Sequence, residues 1–167
     1  MNQRKLQSKT PQIDFRNEYL KLLFANLNFF VSNSLSSYRF IVTAINSNGH
    51  IPGGSVITFD EKVIDHSNSF IIEEGKFIVP SSGNYLFFFN SDAVNTGGSV
   101  VEVCLNGVTD YYFYETNGDS STRAHQHNFM FTSKLVKGDE LWLYNVYFNT
   151  LVNYAYYPMT FVGYKTN

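Results

Sequence analysis

The sequence predicts an all-β domain of sandwich or jelly-roll type preceded by a short helix, and three observations predict it. After about residue 38, β-branched and aromatic residues dominate a chain of 167 residues that holds 16 Phe and 12 Tyr, the composition of pleated, packed surfaces. The same region breaks into short apolar runs parted by Gly, Pro, Asn and Asp, the punctuation of many short strands. Two of those runs are apolar on both faces. In Tyr85-Leu86-Phe87-Phe88-Phe89, residues 85, 87 and 89 share one face and 86 and 88 the other, because strand side chains alternate.

Taken in order, residues 1–11 form a polar tail. Ile13, Arg16, Leu20, Leu23, Leu27 and Phe30 then recur at alternating spacings of 3 and 4, a coiled-coil seam with one polar intruder. Phe15, Tyr19, Leu22 and Phe29 widen the stripe, so this helix wants a partner. Three readings stand: a helix docked on its own domain, a short trimerising neck, or a helix lying on a membrane surface. About two and a half heptads are too few to hold an oligomer alone. Ser32 to Ser37 reads as a linker, dividing the chain into residues 1–37 and a β-domain over 38–167.

The expected strands are Arg39–Ile45, Ser55–Phe59, Lys62–Ile64, Ser69–Ile72, Lys76–Val79, Asn84–Phe89, Ser99–Leu105, Val108–Glu115, His127–Leu135, Glu140–Phe148 and Met159–Tyr164. Asn106-Gly107 marks the clearest hairpin, since a type I′ turn needs positive φ at both central positions. In the strand after Lys137-Gly138-Asp139, Leu141 and Leu143 take one face while Trp142, Tyr144, Val146 and Phe148 take the other. A single sandwich covers only one face of each strand. Leu86, Phe88, Trp142, Tyr144, Val146 and Phe148 are therefore expected at an interface between copies of the chain.

Composition narrows the function classes. A net charge of −2 without any Lys/Arg run disfavours nucleic acid as a partner. The stretch Tyr19 to Val31 is interrupted by Lys21, Asn26 and Asn28, making it a poor signal-peptide core and too short and polar to insert in a membrane. Asparagine is abundant, yet none is followed two positions later by Ser or Thr, so no N-glycosylation acceptor exists. Cys104 is the sole cysteine and reads as a buried free thiol, weighed against a reactive or intersubunit cysteine.

Motifs for catalysis are missing: there is no nucleophile elbow, phosphate-cradling glycine loop or H-E-x-x-H, and no cofactor is implied. The chain reads as a non-enzyme. Arg123, His125 and His127 alternate along one strand, which makes His125 and His127 weak candidates for a metal or a pH switch against the plainer reading of a polar strand edge. Better ligand-binding candidates are Tyr112, Tyr114, Asn117 and Asp119, with Tyr154 and Tyr156 in a second loop, weighed against the plainer reading that many of these aromatics pack at the interface between copies. They mix aromatics with hydrogen-bonding groups, as surfaces for sugars or protein epitopes do.

Phe59, Asp65, Phe70, Phe77, Gly83, Tyr85, Phe87 and Phe89 meet the spacing F-x5-[ND]-x4-F-x6-F-x5-G-x-Y-x-F-x-F, which resembles the signature of the C1q globular head. Val103 to Gly107, Leu135 to Leu143 and Phe161-Val162-Gly163-Tyr164 are similar to three further segments of that family. The resemblance covers about residues 38 to 165 and implies a ten-stranded jelly roll of the C1q/tumour-necrosis-factor superfamily. It further implies a homotrimer, an extracellular setting, no enzymatic activity, and a carbohydrate or protein ligand.

Two departures stand out. No Gly-X-Y collagen repeat precedes the head, and the helix at 13–33 takes its place as a possible route to higher-order assembly. Between Phe148 and Pro158 there is no acid, so the calcium that some members hold near the trimer apex lacks its carboxylates. The functional expectation is a lectin-like or pattern-binding trimer. Its rivals are a structural or adhesive protein whose trimers assemble through the helix, and a cytokine-like receptor ligand.

Overall fold

The computed structural model describes residues 38–44, 50–94, 99–115, 124–146, 151–152 and 159–166. The expected helix at 13–33 and the loops carrying Asn117, Asp119, Tyr154 and Tyr156 lie outside the described residues, as do Arg123 and Phe148.

The described residues form thirteen strand segments in two antiparallel sheets. The first sheet runs in the order β2 (His50–Ile51), β12 (Leu151–Val152), β7 (Gly83–Val94), β13 (Met159–Lys165), β1 (Arg39–Ala44) and β4 (Glu61–Asp65), with β10 (Ala124–Leu135) also paired to β7. The second sheet runs β5 (Phe70–Ile71), β6 (Lys76–Ile78), β11 (Glu140–Asn145), β8 (Ser99–Leu105) and β9 (Val108–Glu115), with β3 (Ser55–Val56) also on β11. First and last strands lie side by side, Arg39 opposite Tyr164 and Ala44 opposite Met159. Apart from the β5–β6 and β8–β9 pairs, neighbouring strands are distant in sequence, and the result is the jelly-roll sandwich that the strand pattern predicts.

Aromatic rings fill the space between the sheets. Phe40 sits at the centre, with ring centroids 4.7 Å from Phe77, 4.9 Å from Phe70 and 5.2 Å from Phe161. Phe87 stacks on Phe131 at 4.9 Å, and Phe113 on Phe129 at 3.9 Å, so the second group of rings ties β9 to β10. Such pairs add about 0.5–1.5 kcal/mol each beyond the area they bury.

One small residue makes this possible. Gly163 lies opposite Phe40 on one side and Phe87 on the other, on the inward face. A Cβ there would overlap the edge of the Phe40 ring and stand 2.8 Å from that of Phe87. The glycine is thus the seat over which two large rings approach to 6.4 Å.

Two polar devices hold the ends of the signature stretch. The Asp65 side chain, 4% exposed, accepts hydrogen bonds from the backbone N–H of Ser69 at 2.9 Å and of Phe70 at 3.0 Å, and pairs with Lys62 at 3.4 Å. It closes the turn between β4 and β5, as carboxylates do in tight loops. The buried Tyr85 donates its hydroxyl to the carbonyl of Ser81 at 2.6 Å, pinning the turn before β7. Burial pushes its phenol above the ordinary value of 10.0.

The Asn106-Gly107 hairpin forms as the sequence demands, with φ of 52° and 84°. Asn106 does more than turn the chain: it accepts from the backbone N–H of Glu140 and donates to Asp139, both at 2.9 Å, joining this hairpin to the β10–β11 turn. β8 and β9 match their expected bounds. β7 differs, running to Val94 through Asn90 and Ser91 rather than ending at Phe89. Both of those polar residues are buried within the sheet, and polarity alone hid the continuation.

Gly163→Ala is expected to cost about 1–3 kcal/mol by overpacking the Phe40–Phe87 seat, read as a lower urea midpoint with an unchanged slope. Tyr85→Phe should lose about 1 kcal/mol at neutral pH with the hydrogen bond to Ser81. Because the folded chain holds the Tyr85 proton that the unfolded chain releases, its contribution is complete below pH 10 and fades as pH rises through the raised value. Alkaline urea titrations should therefore show a shallower decline for Tyr85→Phe than for the parent.

Candidate functional site

Strand alternation leaves each sheet an outer face, and the pairing registers define what each presents. Across the first sheet, Ile64, Ile41, Val162, Phe88 and Met130 stand in one row over β4, β1, β13, β7 and β10. Five apolar residues in line are unusual for the outer surface of an antiparallel sandwich. Ile41 and Val162 are buried, Ile64 and Phe88 half-buried, and Met130 is 63% exposed at the edge. An adjacent row holds Arg39, Tyr164, Leu86 and Thr132. On the other side the row is polar: Glu61, Thr43, Thr160, Asn90 and Asn128.

The outer face of the second sheet has a different chemistry. One row reads Ile71, Lys76, Trp142, Cys104 and Thr109. A second reads Val56, Tyr144, Glu102 and Tyr112, and a third begins with Val100 and Tyr114. Tyr112 and Tyr114 are each 64% exposed, while Trp142 and Tyr144 are half-buried. The Lys76 ammonium lies 5.2 Å from the centroid of the Trp142 ring and 3.2 Å from both Glu74 and Glu140. The hydrogen bond to Glu140, then that to Glu74, raises its pKa. Glu102 accepts a 2.8 Å hydrogen bond from the Thr109 hydroxyl.

The sequence-predicted residues fall on these faces in an order that the sequence did not reveal. Leu86 and Phe88 lie on the outer face of the first sheet, whereas Trp142 and Tyr144, with Val146 beyond the end of β11, belong to the second. They do not form one patch. Tyr112 and Tyr114 share the second face with Trp142 and Tyr144. His125 and His127 stand opposite Ala93 and Ser91 along β10, and their side chains lie outside the described residues. Among the described residues no group of three or more His, Cys, Asp or Glu could hold a metal ion.

Two residues escaped the sequence reading. Met130 alternates with the buried Phe129 and Phe131, and this alternation could have marked it as the outward member of the first-sheet row. Glu102 is the one acid in the run Ser99 to Leu105, an outward position on an otherwise apolar central strand.

A two-sheet jelly roll with these registers defines the class shared by C1q heads and tumour-necrosis-factor-like domains, which are generally non-enzymatic recognition modules and commonly form trimers. The C1q domain family model matches residues 40–165, and the chain belongs to the C1q domain family. Among solved structures, the globular domain of zebrafish complement 1qA protein superposes with a TM-score of 0.65 at 20% identity, over 78% of this chain and 98% of that one. Eiger TNF from S. frugiperda superposes with a TM-score of 0.62 at 10% identity, over 78% of this chain and 92% of that one. At these identities the likeness is one of fold. No curated protein matches the chain. Members of the family are typically extracellular, and among the described residues no helix is long and apolar enough to cross a membrane.

Cys104 is buried beside Trp142, and burial, with the nearby Glu102 carboxylate second, pushes its thiol pKa up. Ellman's reagent at pH 8 should label it much more slowly in the native protein than in urea.

Proposed function

We propose that this protein is a trimeric recognition module of the extracellular space, whose first sheet packs against neighbouring copies and whose second sheet meets the ligand, a carbohydrate or a protein. The observation that carries this reading is the contrast between the two outer faces. The Ile64–Ile41–Val162–Phe88–Met130 row is apolar across five strands; Ile41 and Val162 are already buried within the chain, and the apolar surface left at Phe88 and Met130 is best accommodated against another copy. The second face mixes exposed tyrosines with Glu102 and the Lys76 cluster, a combination suited to oriented recognition rather than to permanent burial.

Residues 1–37 serve in this reading as a tail, helix and linker ahead of the jelly roll at 38–167, with the helix at 13–33 acting as a neck that adds to the assembly. Because Phe88 is already half-buried and Met130 partly so, covering each contributes less than the ~1.5–3 kcal/mol of a fully exposed side chain, and three-fold repetition multiplies that gain.

Light scattering at micromolar concentration should give three times the 19.1 kDa chain mass. Phe88→Glu should lower that mass towards a single chain, because it places a charge in the apolar row. Tyr112→Ala should leave the trimer intact. A parent protein scattering at 19.1 kDa would overturn the proposal.

A further inference from the structure

The middle of the second face holds an arrangement with its own chemistry. Glu102, on the interior strand β8, stands directly opposite Tyr144 of β11 on one side and Tyr112 of β9 on the other. Adjacent strands are about 4.8 Å apart, so Tyr112 and Tyr144 are each rooted one strand from Glu102, with the Tyr144 hydroxyl reaching toward Gly54 beside β3. The other outward residues of β8, Val100 and Cys104, are short and buried, and they form a low floor along which Glu102 is the sole charge. Asp110, exposed on β9, adds negative charge nearby.

We propose that the Tyr144–Glu102–Tyr112 row is a docking site for a basic side chain, arginine above all, of a protein partner. This rests on the reading of the second sheet as the recognition face and names the chemistry of its partner.

The same surface already shows how it holds a cation. One row away, the Lys76 ammonium lies over the Trp142 ring while bonded to Glu74 and Glu140. The Tyr144–Glu102–Tyr112 row places the same residue chemistry, aromatics beside a carboxylate, in neighbouring register positions. Among the described residues no ammonium or guanidinium forms an ion pair with Glu102, whose bonded neighbour is the neutral Thr109 hydroxyl. A cation over an aromatic face and a charge-assisted bond to a carboxylate reinforce one another. Arginine suits the gap better than lysine, because its planar guanidinium stacks on a tyrosine while its N–H groups reach Glu102. A neutral sugar could stack on the tyrosines but draws no advantage from the charge between them.

The probe is a fluorescein-labelled nonapeptide, Gly-Arg-Gly-Gly-Arg-Gly-Gly-Arg-Gly, followed by anisotropy against the full-length protein, with a citrulline-for-arginine peptide as its neutral counterpart. Saturable binding is expected, weakening as salt rises, absent for the citrulline peptide, and reduced tenfold or more by Glu102→Gln and by Tyr112→Ala. Glu102→Gln keeps an acceptor for Thr109 and Tyr112 is largely exposed, so both variants should retain the parent's mass and urea midpoint. Equal binding of the two peptides, indifference to Glu102→Gln, or no saturable binding at millimolar peptide would each overturn the proposal. Binding of neutral methyl glycosides to this face, lost in Tyr112→Ala but not in Glu102→Gln, would overturn it while leaving the recognition face standing.

Discussion

Phe40 and Phe87 both seat against Gly163, and this three-strand contact anchors the core. It brings together β1, β13 and β7, three strands drawn from the beginning, end and middle of the jelly roll. Around it Phe70, Phe77 and Phe161 close the ring cluster and attach the second sheet. A core of rings is stiff and transmits its geometry, because side chains packed near crystal density cannot shift one at a time. Inward packing therefore decides what every strand has left to present outward.

The polar devices act on that core from its edges. Asp65 folds the β4–β5 turn so that Phe70 enters the core, and the Tyr85 hydroxyl holds the turn from which β7 starts with Phe87 and Phe89 pointing inward. Asn106 links two turns at the end of the second sheet and so sets where β8 and β11 lie side by side. From that register follows the alignment of Glu102 with Tyr144, and from the β8–β9 hairpin its alignment with Tyr112. The outer surface is a consequence of inner packing and of three side-chain hydrogen-bond anchors.

Much of this was legible in advance. Period-two alternation identified the inward members of β7 and β11, and the Asn-Gly turn located β8 and β9 within their observed limits. The spacing of Phe, Asp, Gly and Tyr pointed to the family. Less legible were features that look polar in one dimension. β7 continues through Asn90 and Ser91 because backbone pairing with β10 and β13 satisfies the strand whatever its side chains. The two-residue strands β2 and β12 exist through their pairing with each other and with β7, and no periodicity can mark two residues.

The candidate surfaces show the same division. Alternation, a property of the extended chain, sorts the residues of each strand into two faces and is legible in the sequence. It therefore named Leu86, Phe88, Trp142 and Tyr144 as outward apolar residues. Long-range pairing sets the rest: the first pair and the second lie on opposite sheets, Met130 joins Phe88 and Glu102 joins Tyr144, whereas the alignment of Glu102 with Tyr112 comes from the local β8–β9 hairpin. The reason is topological: in a jelly roll a strand's neighbours come from remote parts of the chain, and cross-strand rows exist only once long-range hydrogen bonds have set the register.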